Sequence, residues 1–242
     1  MRINEWHTRN KIYEDGSATM RETVENAIAN GVCLSNTDLR DADLSRVVFA
    51  GGDLSGVSFN NTILRHADLT GCVLFGASLR KADLANAHLA GAVLTQADLT
   101  NADLDGADLT GARLDEAELV KTSFVDAKLH RASLVGARGH RADFERADLS
   151  HADLSRAYLT RARFKDAKLT RARFSGADVA FASFETATLS AIDLYGDSPT
   201  RARRAAPVTR YVAPADPHAH CAYVGRCVPR MLDSSADKCE QP

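Results

Sequence analysis

The feature that most constrains the fold is a five-residue period, which runs without insertion from residue 32 to residue 196. The central position of each unit runs from Leu34 to Leu194 in steps of five and holds a large apolar residue in every unit but one, in which it is Gly139. The position two before the centre is Ala in almost every unit from Ala77 to Ala187. A period of five fits neither the 3.6 residues of a helical turn nor the alternation of a strand, so the chain must turn once per unit.

A slower period of 20 residues predicts how many units complete one turn. Four units separate the members of one glycine column and of one phenylalanine column, Gly51, Gly71, Gly91 and Gly111, and Phe124, Phe144, Phe164 and Phe184. We therefore expect coils of four units, with the centre and the residue two before it pointing inward. A second glycine column suits corners that need positive φ and consists of Gly56, Gly76, Gly136, Gly176 and Gly196.

The stretch "ADLTN ADLDG ADLTG" and its neighbours resemble the A(D/N)LXX signature of the pentapeptide repeat proteins. The resemblance implies an all-β fold, a right-handed quadrilateral β-helix of about eight coils and on the order of 40 Å in length. The residues that precede the repeats predict a small N-terminal hairpin and helix as its cap. Core positions are then predicted at Leu99, Leu104, Leu109, Phe124, Phe144, Phe164 and Phe184. The phenylalanine column is interpreted as core packing rather than as a ligand platform.

Three segments are expected: residues 1–31, the repeats over 32–196, and a Pro- and Arg-rich tail over 197–242. The first segment predicts a hairpin and then a helix that begins with a capping box at Thr19 and Glu22 and ends at Gly31. Its apolar stripe would lie on the first coil, although a free-standing binding helix is the alternative. The tail is expected to be flexible and to have little regular structure.

Composition and motifs exclude several classes of function. The absence of an apolar run long enough for a membrane span or a secretory signal predicts a cytoplasmic protein without a membrane segment. The repeated Asp residues are interpreted as solvated turn groups, and no phosphate-binding glycine loop occurs, so we expect no enzyme and no cofactor. A zinc site in the tail is conceivable but matches no standard spacing, so no metal is predicted at His218, His220, Cys221 and Cys227.

A rigid rod without a catalytic cluster predicts a protein-binding scaffold. The distant resemblance to Qnr-type quinolone-resistance proteins implies a sharper hypothesis, in which an acidic rod imitates DNA and binds DNA gyrase or topoisomerase IV. The candidate contacts are seven of the eight acids in the stretch 82–119, namely Asp83, Asp98, Asp103, Asp105, Asp108, Glu116 and Glu118. The alternative is a structural or adaptor protein, or a phage or effector-type accessory, that binds another partner or self-associates. Direct nucleic-acid binding is not favoured, and whether the chain forms a homodimer is left open.

Gly139 occupies an inward position where every comparable unit has Leu, Phe or Val. Two interpretations follow: a packing defect into which Phe144 of the next unit leans, or a soft point at which the rod bends. A more basic half of the rod begins at the same place with Arg138, His140 and Arg141, and these residues are therefore further candidates for partner binding.

Overall fold

The computed structural model describes residues 1–191, which begin with a small α/β unit. Strands β1 (Arg2–Glu5) and β2 (Lys11–Glu14) form an antiparallel hairpin, helix α1 spans Met20–Ala29, and β3 spans Thr37–Asp38. β1 lies between β2 and β3 and pairs antiparallel with both. Because β3 belongs to the first coil, the hairpin extends the edge of the repeat region.

From β3 onward the chain forms a β-helix in which each residue that pairs does so in parallel with the residue 20 positions later. The bridges run from Asp38–Ser58 to Lys168–Thr188, one per unit. In a typical unit the amides of Leu44 and Arg46 donate to the carbonyls of Ile63 and Arg65, at 2.8 and 2.9 Å. Four units therefore complete each coil, as the 20-residue period predicts.

Each unit ends in a corner whose last residue has positive φ, from Asn36 to Ala191. A four-residue turn closes each corner, as where the Val47 amide donates to the Leu44 carbonyl at 3.2 Å, and the positive φ is what a type II turn requires of its third residue. The glycine columns do occupy such corners, apart from Gly196, which lies outside the described residues. Most corners, however, hold residues other than glycine. The left-handed conformation costs these residues about 1–2 kcal/mol each. The amide hydrogen bond that the non-glycine corners from Asn36 to Arg171 make to the next coil offsets this cost.

Leucine, phenylalanine and alanine columns fill the interior. Leu99, Leu104 and Leu109 are fully buried, and so are the first three rings of the phenylalanine column, Phe124, Phe144 and Phe164. These rings stack in parallel, with centroids 4.9 and 5.0 Å apart, and the partly buried Phe184 continues the stack at 4.8 Å. The column is thus core packing.

Gly139 keeps the register of the coil but is packed differently from our expectation. Its amide donates to the carbonyl of Tyr158 at 2.8 Å, and its own carbonyl accepts from Ala142 at 3.0 Å, as in every neighbouring unit. A Cβ built on Gly139 would lie 2.8 Å from Cδ2 of Leu159, the residue of the same column in the next coil. The side chain that fills the space is therefore Leu159 and not Phe144, which stays in its own ring stack.

The N-terminal unit covers the first coil. Val24 and Ala27 of α1 are fully buried in one continuous cluster with Leu34 and Leu39. The capping box is formed, since the Thr19 side chain accepts from the Glu22 amide at 3.2 Å and the Glu22 carboxylate accepts from the Thr19 amide.

One arginine of the first coil joins the hairpin to the repeats. The Arg40 guanidinium lies 4.2 Å from the centroid of Trp6 and donates to both carboxylate oxygens of Asp38, at 2.7 and 2.8 Å. This contact adds a cation–π attraction to the backbone pairing of β1 with β3.

Candidate protein-binding surface

The coil presents four faces, which we number 1 to 4 from the units centred on Leu34, Leu39, Leu44 and Phe49 and their counterparts at steps of 20 residues. Each unit exposes one side chain before its centre, one after it, and one at the corner shared with the next face. Backbone hydrogen bonds between coils fix all three positions. The exposed side chains therefore form a regular grid around a filled interior.

Aspartates before the centre serve the turns. In the units of Asp53 and Asp68, a carboxylate oxygen accepts from the amide two residues later, at 3.0 Å in both. The hydroxyl and then the amide of Ser55 hold the pKa of Asp53 below its ordinary value, and Thr70 does the same for Asp68. Carboxylates held ionised in turn hydrogen bonds are poor general acids or bases, which agrees with the interpretation of the repeated Asp residues as turn groups.

The structure does not bring the acidic candidates together on one face. Asp98 and Glu118 lie on face 2, whereas Asp108 lies on face 4 and Glu116 at the corner between faces 1 and 2. The acids on face 3 are Asp83, Asp103 and Asp105. The acidic stretch thus encircles the rod for about two coils and does not form a row along it.

Cations of adjacent coils neutralise much of this acidic band. Asp83 pairs with Arg65 at 2.5 Å, Asp98 with Arg80 at 3.0 Å, Glu118 with Arg138 at 2.9 Å and Asp108 with Lys128 at 3.9 Å. Within residues 1–191, Asp103, Asp105 and Glu116 have no such cation. Partial burial, and then the charges of Asp105 and Asp83, raise the pKa of Asp103. The strongest local concentration of acid is therefore the small cluster on face 3.

Arginines on the faces and arginines at the corners differ in their partners. Those on the faces of the second half bridge to acids one coil away, as Arg163 does to Asp143 at 2.9 Å and Arg173 to Asp153 at 3.1 Å. Except for Arg146, which pairs with Asp126 at 2.8 Å, the corner arginines of the second half form no ion pair within the described part of the chain. They are Arg131, Arg141, Arg156, Arg161 and Arg171, and all are exposed. Uncompensated positive charge is thus concentrated at corners.

Face 2 combines these cations with exposed aromatic rings, and we call this surface the Arg/Tyr patch. It consists of Arg138, His140, Arg141, Arg156, Tyr158, Thr160, Arg161 and Phe181. The ring of Tyr158 is 58% exposed and lies between two corner cations of one coil, Arg156 on one edge of the face and Arg161 on the other. Phe181, at 46% exposure, follows Arg161 along the same corner.

Contacts between coils hold the patch in place. His140 Nδ1 lies 2.6 Å from the Thr160 hydroxyl, and the Arg141 amide donates to the Thr160 carbonyl at 3.0 Å. The candidates Arg138, His140 and Arg141 therefore do lie together on this surface. Sequence reasoning did not select Tyr158 and Phe181, although aromatic residues at outward positions of the five-residue register were the signal that could have identified them.

Other kinds of site find little support in the described residues. No three His, Cys, Asp or Glu side chains among residues 1–191 are grouped so that they could hold a metal ion. No helix in this range is both long and apolar enough to cross a membrane. The conceivable zinc ligands of the tail, from His218 to Cys227, lie outside the described residues.

Comparison with known proteins identifies the family. The family model for pentapeptide repeats matches in eight copies between residues 42 and 194, which is more than half of the chain. No curated protein matches the sequence.

Solved structures of similar proteins include HetL, a pentapeptide repeat protein involved in heterocyst differentiation regulation in the cyanobacterium Nostoc sp. strain PCC 7120. It is 28% identical with a TM-score of 0.58, and the alignment covers 75% of this chain and 93% of HetL. QnrB1, a plasmid-mediated fluoroquinolone resistance protein, is 20% identical with a TM-score of 0.44, over 69% of this chain and 89% of its own. With the repeats matched over most of the coil region, the chain belongs to the pentapeptide repeat protein family.

Proposed function

We propose that this pentapeptide repeat protein is a non-catalytic scaffold that binds a protein partner through the exposed faces and corners of its β-helix. The observation that carries the proposal is the grid of exposed side chains, which inter-coil hydrogen bonds hold over a filled core and which includes the Arg/Tyr patch. The likeness to HetL, a protein involved in regulation, fits a role in binding. A right-handed coil and a cytoplasmic location are part of the same proposal.

The more specific hypothesis is that the rod imitates DNA and binds a type II topoisomerase. Its support is the acidic band over residues 82–119, whereas the absence of a loop insertion in the repeats counts against it. The ion pairs that neutralise this band, and the uncompensated corner arginines beyond it, would weaken attraction to a basic DNA-binding groove. We therefore favour a partner other than a topoisomerase.

A scan by photo-crosslinking tests the broader proposal. A photoreactive phenylalanine analogue is placed at one exposed apolar residue of each face, Val73, Tyr158, Ile63 or Val48. We expect a discrete cross-linked protein from at least one face. If none of the four positions yields a cross-linked protein, the scaffold role is refuted.

DNA gyrase supercoiling, measured with and without a quinolone, tests the specific hypothesis. At a large molar excess of the full chain, we expect no inhibition of supercoiling and no relief of the inhibition that the quinolone causes. If an effect is seen, a variant that neutralises the acids without a cation, Asp103→Asn/Asp105→Asn/Glu116→Gln, must abolish it before DNA imitation is accepted.

A further inference from the structure

We propose that the Arg/Tyr patch binds an acidic segment of the protein partner, one that carries carboxylates beside at least one large apolar side chain. This inference rests on the proposed scaffold function and names the chemistry of the partner.

The first argument is the charge of the patch. The guanidinium groups of Arg141, Arg156 and Arg161 are exposed and form no ion pair with residues 1–191, unlike the arginines on the faces. The corner backbone of each arginine is fixed by a hydrogen bond to the next coil, at 3.0, 2.8 and 2.9 Å. A guanidinium can receive a carboxylate through two parallel hydrogen bonds, so three such groups favour an acidic ligand.

The second argument is the pair of aromatic rings. Tyr158 and Phe181 are the large apolar side chains that stand exposed in the second half of the described chain. Tyrosine and arginine are enriched in protein interfaces and among the residues that dominate binding energy. A ligand that covers Tyr158 would also exclude water from the ion pairs that the ligand makes with Arg156 and Arg161, and a hydrogen bond shielded from water is stronger.

The third argument distinguishes a protein segment from a nucleic acid. Glu118, Arg138, Tyr158 and Asp178 are successive members of one column on face 2, so acids lie at both ends of the patch. A nucleic-acid backbone carries a charge on every nucleotide and would continue past the patch onto these acids. A short acidic peptide can end between them.

Fluorescence anisotropy with a labelled peptide of alternating Glu and Phe or Leu residues tests the proposal on the full chain at low salt. The variant Arg156→Gln/Arg161→Gln should weaken binding about tenfold or more, and Tyr158→Ala should weaken it several-fold. The matched control is Arg131→Gln/Arg171→Gln, which removes two corner arginines that also lack an ion pair but lie between faces 4 and 1, at the corner diagonally opposite Arg161. It should stay within about twofold of the unmodified chain. Thermal melting of each variant verifies that it folds.

Four outcomes would overturn the proposal: no binding of the peptide, equal loss in the control variant, equal binding of a peptide with Gln in place of Glu, or tighter binding of a single-stranded DNA oligonucleotide through the same arginines. Failure here is separable from failure of the scaffold function. Cross-links from Val48, Ile63 or Val73 without any from Tyr158 would support a scaffold whose partner lies on another face.

Discussion

At the scale of single residues, the coil depends on backbone conformation more than on residue type. Corners accept Arg, Asn, Asp and Gly at positive φ, because the turn and the hydrogen bond between coils determine the conformation. Inward positions lack positive φ, and their side chains must fill the interior of the coil. Gly136 is such a corner with positive φ, and Gly139, three residues later, is such an inward position.

Substitution of Gly139 by Ala should stabilise the protein by about 0.5–1 kcal/mol, because it restricts the unfolded chain at a position where Ala fits the native backbone. The new methyl group needs Leu159 to shift, and its Cδ2 is the free end of a flexible side chain. The free energy of unfolding, from urea titration, measures the effect.

The matched control is Gly136→Ala. Its φ is +68°, and a Cβ there meets only Glu116 Cγ, at 3.7 Å, so strain and not crowding opposes this substitution. We expect this variant to lose about 1 kcal/mol. Destabilisation by both variants to the same extent would show that Leu159 cannot shift to admit the methyl group.

Asp15 should make the N-terminal unit sensitive to acid. Hydrogen bonds from Asn26, and then from Ser17 and Thr23, hold its pKa well below the ordinary 3.8. A folded-state pKa that is lowered contributes stability fully above the unfolded value, and this contribution is lost as the pH falls below about 4.

Thermal melting of Asp15→Asn against the unmodified chain tests this contribution. We expect a lower melting temperature for the variant at neutral pH and a difference that shrinks as the pH drops below 4. A difference that does not change with pH would assign the effect to lost hydrogen bonds alone.

At the scale of elements, the stacked columns are the units of stability. Each inner ring of the phenylalanine column contacts the ring before and the ring after it, so Phe144 has a partner on both sides. In a solenoid, stability is approximately the sum of such nearest-neighbour contacts. A defect in the middle of a column should therefore cost more than one at its end.

Substitution of Phe144 by Ala should destabilise the coil by about 3–5 kcal/mol, through lost burial and the cavity left behind. The control Phe144→Leu should cost less than about 1.5 kcal/mol, because Leu occupies the same column at Leu84 and Leu104. Chemical denaturation of both variants provides the comparison. Equal losses would contradict this expectation, because they would show that ring stacking, which both variants remove, contributes more than apolar volume, which Leu largely keeps.

How much the sequence could predict differs between these elements. The coil of four units follows from the steps of Leu34, Phe124 and their columns, and the start of α1 follows from Thr19 and Glu22, because each rests on a local or strictly periodic pattern. The filling of the space at Gly139 was predicted wrongly, since the rotamer of Leu159 one coil away is not encoded in the period.

Ion pairs across coils show where the register alone is insufficient. Arg65 and Asp83 are 18 residues apart and Arg138 and Glu118 are 20 apart, so the 20-residue period brings each pair close. Whether such neighbours pair depends on side-chain direction, which sequence does not specify. The acidic band consequently has less uncompensated charge than its composition suggests.

At the scale of the whole molecule, the charge pattern and the cover over the first coil decide what the rod can associate with. Neutralised faces and uncompensated corners give a surface that is neither uniformly acidic nor uniformly basic, which suits selective recognition by local patches. The first coil must be covered, because an uncovered coil edge is a template for pairing with another chain. β1 covers this edge through its pairing with Thr37 and Asp38, and α1 covers the apolar end.

Removal of residues 1–31 should therefore convert the first coil into an association site. The truncated chain would expose the backbone of Thr37–Asp38 and the side chains of Leu34 and Leu39, which are buried in the full chain. We expect a molar mass that rises with concentration in size-exclusion chromatography with light scattering, while circular dichroism still reports β-structure. The control Trp6→Ala removes the cation–π contact with Arg40 but leaves the backbone pairing of β1, and it should keep the mass of the full chain. If the truncated chain keeps that mass at all concentrations, the N-terminal unit is not what protects the coil edge, and the expectation that it acts as a cap is wrong.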